Sequence, residues 1–231
     1  MQESGCFLCG EELIYGELEK ATCAFCRAEF LTQVKCKDGH FVCDGCHQSD
    51  ALVFLERFIS RTPLKDPVAM LKQIFLHPSF KMHGPEHHFA IPAVTLRALE
   101  NNGVAVPIDY WRLIQSRCSQ LPGGTCGYWG ACAAGIGPGI AASIFAECNP
   151  VKREHYDSIH RITSQALARI ADVGGPRCCK RNTVLSLQTL IEAFEVHFGI
   201  TLPNEPFSCS FSRKNRECLK KGCPFYSGEA K

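Results

Sequence analysis

Sixteen cysteines stand among 231 residues, and many of them have the spacing of metal ligands. Cys6-x-x-Cys9, Cys23-x-x-Cys26, Cys36-x-x-x-His40 and Cys43-x-x-Cys46 form four pairs of soft donors. Two tetrahedral zinc ions need about eight such donors, and a Cys-x-x-Cys loop lets two thiolates meet one ion from a tight turn. Gly10, Gly39 and Gly45 stand where those turns need a permissive backbone. Few aliphatic residues separate the pairs, so metal is expected to supply the folding free energy of this segment. Two wirings remain open. In a cross-brace, first and third pairs share one ion and second and fourth the other; in a sequential ribbon, Cys6, Cys9, Cys23 and Cys26 share one ion and a compact second site follows. His47 reads as a bystander.

Three further joints have chemical potential. His83-Gly-Pro-Glu86-His87-His88 gathers imidazoles and a carboxylate that can hold a metal or act as acid and base. The run from Pro122 to Gly139 contains Cys126 and Cys132 among residues small enough for a backbone to approach a ligand or cluster, or for helices to pack closely, with Pro138 expected at a helix start. Gly174-Gly-Pro-Arg177-Cys178-Cys179-Lys180-Arg181-Asn182 crowds three cations at an expected helix start, where the macrodipole favours anions. A substrate carboxylate, a phosphate or an anionic cluster would compensate them. Arg177, Lys180 and Arg181 are therefore candidate substrate-binding groups, and His83, Glu86, His87 and His88 candidate proton carriers.

The tail adds Cys209, Cys218 and Cys223-Pro224, a Cys-Pro ending of the kind that closes ferredoxin-type cysteine series. With Cys126, Cys132, Cys178 and Cys179 these are enough thiols for a 4Fe–4S cluster with spares. Three protein thiolates leave an open iron with Lewis-acid character, whereas four favour electron transfer or structure. Cys118 and Cys148 lack such a setting and read as buried apolar residues; His77 reads as structural.

The elements that must position these groups are helical. Leu52, Leu55, Phe58 and Ile59 share a helix face, as do Met70, Ile74 and Phe75, with Asp66-Pro67 as a capped start. Pro85 opens a segment that stops at Asn101-Asn102-Gly103, with Pro92 expected to kink it or delay its start. Tyr110 to Cys118 makes a short helix. Ile159, Ile162, Ala166 and Ile170 line a long one ended by Gly174, and Val184, Leu187, Leu190, Ile191 and Phe194 line the last. The fold class expected is mainly α, a helical domain over 49–231 with Gly-rich cluster-binding loops, preceded by a small zinc-binding module over 1–48.

The composition is that of a folded protein, 45% hydrophobic and 21% charged. A net charge of +2 gives no reason to expect nucleic acid as a partner. Gly130 to Ala146 is uncharged, but its glycines and proline suit a buried loop and core helix better than a membrane span. Free thiols in Cys-x-x-Cys pairs, with no secretory pattern at the start, point to the cytoplasm.

Around Cys36 to Cys46 the sequence resembles the middle of RING-type cross-brace modules, with the mixed Cys/His pair third in order instead of second, a departure that speaks against ubiquitin-ligase activity. From His83 to Tyr226, the His-Gly-Pro-Glu-His-His, Pro-Gly-Gly-x-Cys-Gly-x-x-Gly-x-Cys, Gly-Gly-Pro-Arg-Cys-Cys-Lys-Arg and Cys…Cys…Cys-Pro-Phe pieces resemble an uncharacterised cysteine-rich family of anaerobic archaea and bacteria. That resemblance implies radical-SAM or methyltransferase proteins as partners. Cys132-Ala-Ala-Gly and Pro176-Arg-Cys178-Cys179-Lys-Arg-Asn182 are similar to the cluster segments of 4Fe–4S serine dehydratases and cysteine desulfidases. This second likeness implies Cys132, Cys178 and one tail cysteine as cluster ligands, with lyase or sulfur-transfer chemistry on a small anionic substrate.

Overall fold

The computed structural model describes residues 6, 8–43, 46, 50–121 and 123–228; Gly45, His47 and Pro122 lie outside them. The chain divides into two compact units, one made of the residues up to Pro63 with Lys72–Lys81, the other of Leu64–Leu71 with the chain from Met82 onward.

In the first unit, β1 (Leu13–Thr22) and β2 (Glu29–Cys36) form an antiparallel hairpin, with Leu13 opposite Cys36, Thr22 opposite Glu29 and an irregular register between Tyr15 and Glu19. Two strands alone are marginal in water. They are extended by α1 (Ala51–Arg61), whose N-cap Asp50 accepts from the Leu52 and Val53 amides. The buried face of α1 holds Phe54, Leu55, Phe58 and Ile59. Phe54 meets Phe25 edge-on at 4.8 Å and stacks on His77 at 3.8 Å. His77 is buried, bonding the Cys46 carbonyl through Nε2 and Ser79 Oγ through Nδ1, the structural role expected of it. A small aromatic core thus adds to whatever a metal contributes, because Phe25 sits inside a cysteine loop and still faces inward.

Helix α2 (Pro67–Leu76) is capped by Asp66, which accepts from the Val68 and Ala69 amides and, at its other oxygen, from Glu205 N. The second unit continues with α3 (His87–Asn101), α4 (Tyr110–Cys118), the single turn α5 (Thr125–Tyr128), α6 (Ala133–Phe145), α7 (Tyr156–Val173) and α8 (Cys179–Phe198). The expected mainly helical fold is what forms. Helix α6 is central and packs against α3, α4, α7 and α8. Pro138 does not open a helix but lies within α6, and Pro92 lies within α3. Burial of most residues along both helices outweighs the roughly 3 kcal/mol that an interior proline costs.

The glycines of α6 serve helix packing. A Cβ on Gly139 would stand 2.0 Å from Thr163 Oγ1 on α7, and one on Gly137 would stand 3.3 Å from the Ile91 side chain on α3. Gly139→Val is therefore expected to lower stability by about 1–3 kcal/mol, seen as a drop in the thermal midpoint of the helical circular dichroism signal. Among the described residues no helix is long and apolar enough to cross a membrane, and the Gly130–Ala146 stretch is largely spent on the core helix α6.

Candidate metal centres

The hairpin puts two of the cysteine pairs at opposite ends. Cys23 follows β1 beside the turn, and Cys36 ends β2 at the open end. The other pairs complete two groups, Cys6 with Cys9, Cys36 and His40, and Cys23 with Cys26, Cys43 and Cys46. Within each, all four donor atoms lie within 4.8 Å of one another. This is the cross-brace wiring; the sequential ribbon does not form, because the strands carry Cys23 away from Cys9. In the first group Cys9 Sγ is 3.7 Å from Cys36 Sγ, and His40 presents Nδ1 at 3.3 Å from Cys36 Sγ. In the second, Cys26 and Cys43 sulfurs are 3.7 Å apart. Backbone amides of Leu8, His40 and Cys43 point at the sulfurs of Cys6, Cys36 and Cys23 at 3.3–3.4 Å, and Gly10 and Gly39 adopt φ of +81° and +80° in the loops.

So close a set cannot carry four charges unaided. A hydrogen bond from Cys46 holds the Cys23 thiol down at about 4, while burial pushes Cys43 up to about 11. A divalent cation is what allows all four sulfurs to be thiolates together, and the donor types and compactness fit tetrahedral zinc.

The helical unit arranges thiols differently. Cys178, Cys209, Cys218 and Cys223 line one small cavity together with Met82, Phe207, Phe211 and Phe225. Cys178 is the N-cap of α8. Cys209 is brought to the tail's end by Cys209 N donating to Phe225 O at 2.8 Å. Backbone amides of Arg181, Phe211 and Lys220 donate to the sulfurs of Cys178, Cys209 and Cys218 at 3.4–3.5 Å. Burial raises the Cys178 and Cys209 thiols, and charge on Cys218 or Cys223 raises both further. These four do not join the single-ion groups, which among the described residues are the two in the first unit. They surround a space instead of closing on a point.

Around this cage the first turns of α8 bury Lys180, Arg181, Asn182 and Thr183. Lys180 lies 4.4 Å from the Phe211 ring centroid, and burial lowers it to about 8 against the pull of Glu86 and the nearby thiols. Glu86 is 3.8 Å from His87 Nε2, and His87 Nδ1 is 3.5 Å from Thr183 Oγ1. Arg181 bonds the Gly174 and Pro176 carbonyls at 2.8 and 3.1 Å. His88 turns away to the Leu121 carbonyl at 3.2 Å, and burial lowers its pKa. His83 pairs with Glu217 at 3.4 Å, and Arg177 is exposed. Of the remaining thiols, Cys132 caps α6, Cys179 opens α8 and Cys126 lies on α5, and none of the three lines the cage. Cys118 is fully buried as expected; Cys148, at the surface end of α6, is only half-buried. The aromatic wall went unread in the sequence, although Phe207, Phe211 and Phe225 flank the tail cysteines.

One protein-family model matches residues 55–226. The chain belongs to DUF5714, a family of unknown function. No curated protein and no solved structure matches the chain. The DUF5714 match contains all four cage cysteines and the Glu86–His87 pair, whereas the eight donors of the hairpin unit precede it.

Proposed function

We propose that the DUF5714 unit is the cluster-binding part of an iron–sulfur enzyme acting on a small anionic substrate, with two structural zinc ions in the hairpin unit. The observation that carries this reading is the cage. Four thiols face one cavity and at least three accept N–H bonds, as cluster sulfurs do, yet they stay too far apart for a single ion. Two buried cations, Lys180 and Arg181, line the same cavity, as a buried anionic cluster would require. The cluster would supply electron-transfer chemistry. Four thiolates leave no iron position open, which favours redox or sulfur-transfer over an open-iron lyase. Glu86, His87 and Lys180 are the groups best placed to move protons or hold a substrate anion. The setting we propose is an anaerobic cytoplasm.

Metal and acid-labile sulfide analysis with electron paramagnetic resonance, on protein purified without oxygen, tests this. About two zinc with about four iron and four sulfide per chain are expected, and a spectrum altered by candidate amino or thio acids would locate the substrate. Zinc without sulfide after anaerobic reconstitution would overturn the cluster reading. A second reading, docking of a partner such as a radical-SAM or methyltransferase protein on the hairpin unit, is favoured by Ile14, Leu18 and Leu31, which stand 46%, 61% and 64% exposed.

A further inference from the structure

The outer wall of the cage is the most basic stretch of the chain. Between Phe211 and Tyr226 stand Arg213, Lys214, Arg216, Lys220 and Lys221 against a single carboxylate, Glu217, and all five cations are exposed. This local excess is larger than the +2 of the whole chain, so the rest of the molecule is net acidic. Glu217 faces His83 Nε2 at 3.4 Å. Consecutive turns hold the cations together, with Lys214 N donating to Phe211 O at 3.0 Å, Cys218 N to Asn215 O at 3.2 Å and Gly222 N to Leu219 O at 3.0 Å. Ser212, Asn215, Cys218, Leu219 and Cys223 of these same turns line the cage, and none of the five cations does. Lys220, at φ +49°, gives its amide to Cys218 Sγ at 3.4 Å while its side chain shares a surface groove with Lys221 and Tyr226. Cys218 and Cys223 are themselves only half-buried. One knuckle thus carries thiols on its inner side and cations on its outer side.

Exposed cations on long stems form no closed pocket for a small anion; they suit carboxylates presented by another protein. A nucleic acid fits less well. Single-strand binders interleave exposed aromatic rings with their basic groups, whereas here Phe225 is buried and Phe211 packs on the buried Lys180. A net acidic remainder also repels a long polyanion more than a compact acidic partner.

We propose that this basic knuckle is the docking face for an acidic one-electron carrier protein that reduces the cage cluster. The inference rests on the cluster reading of the cage. A cluster held by four thiolates has no open iron, so what it exchanges is electrons, and Cys218 and Cys223 bring it close to the surface beneath the cations. The carrier loses one electron, the cluster gains it, and no covalent bond forms or breaks. Charge complementarity of this kind acts on the rate of association and is weakened by salt.

The test uses the full chain reconstituted without oxygen, with a reduced acidic ferredoxin and a reduced acidic flavodoxin as probes in stopped flow. With at least one probe, cluster reduction is expected to slow roughly tenfold between about 0.01 and 0.15 M ionic strength, and carbodiimide cross-links are expected at Lys214, Lys220 or Lys221. Arg216→Glu with Lys221→Glu should slow it roughly tenfold at low salt, and Arg216→Gln with Lys221→Gln by less, with wild-type iron, sulfide and helical circular dichroism. If the reversed pair loses iron, the glutamine pair decides. A loaded cluster that neither probe reduces or cross-links, or that is reduced at a rate indifferent to salt and to these substitutions, would reject the docking face alone. Protein without iron and sulfide would reject the cluster and the electron route with it. Protection of the same lysines by a labelled oligouridylate, with no effect of either carrier, would overturn the proposal in favour of RNA.

Discussion

Replacing Cys23 by serine is expected to abolish metal binding at one of the two N-terminal donor groups and to cost the ordered state of the hairpin unit. Cys23 is fully buried, and its sulfur accepts from Cys43 N at 3.4 Å. Its backbone closes the loop by bonding Ala28 O and Arg27 N. Serine preserves the size but does not ionise near neutral pH, so three sulfurs are left to hold the ion. A structural zinc contributes about 10–16 kcal/mol in small modules, far beyond what a two-stranded hairpin or a small aromatic cluster can replace. The loss should reach Phe25, Phe54 and His77, since Phe25 lies in the same cysteine loop. One equivalent less of zinc, loss of near-ultraviolet dichroism and new protease cuts between residues 11 and 36 are expected; full zinc content with an unchanged spectrum would contradict it. Acid should act in the same direction. The thiols must shed protons to bind, so falling pH favours the proton over the metal and zinc is released on acidification.

Cys209→Ala and Cys223→Ala are each expected to abolish stable iron and sulfide content in anaerobically reconstituted protein while leaving zinc untouched. Cys126→Ala and Cys132→Ala are expected to retain both. The contrast separates the cage of Cys178, Cys209, Cys218 and Cys223 from a ligand set containing Cys132, the one implied by likeness to serine dehydratases. Cys132 Sγ is engaged by Asn182, and it does not line the cavity. Iron analysis and the absorbance of the reconstituted protein decide between them. Loss of iron in the Cys132 variant with retention in the Cys209 variant would reverse the assignment.

The helices were legible because their causes are local. Tyr110 to Cys118, the cap at Asp66 and the stop at Gly174 follow from periodicity and from side chains bonding amides a few residues away. The glycines between Gly135 and Gly139 allowed two readings, a ligand approached by the backbone or close helix packing. A small residue is needed wherever something comes close, whether that is a ligand or another helix, and the sequence does not say which. Here it is Thr163 on α7 and Ile91 on α3. Pro138 was misread as a helix start for a related reason, since the burial that offsets an interior proline comes from neighbouring helices.

By itself the sequence determined that donors come in pairs and that a mainly helical chain carries them, since both are set by spacing over a few residues. Only the tertiary structure decided which pairs share an ion and which thiols share a cavity. The hairpin separates Cys23 from Cys36 and so selects the cross-brace. The start of α8 and the bond from Cys209 to Phe225 gather four distant cysteines around one space and leave Cys132 and Cys179 outside it. Ligand identity is local chemistry, but ligand grouping depends on where the chain returns, and that is set by the packing of the whole unit.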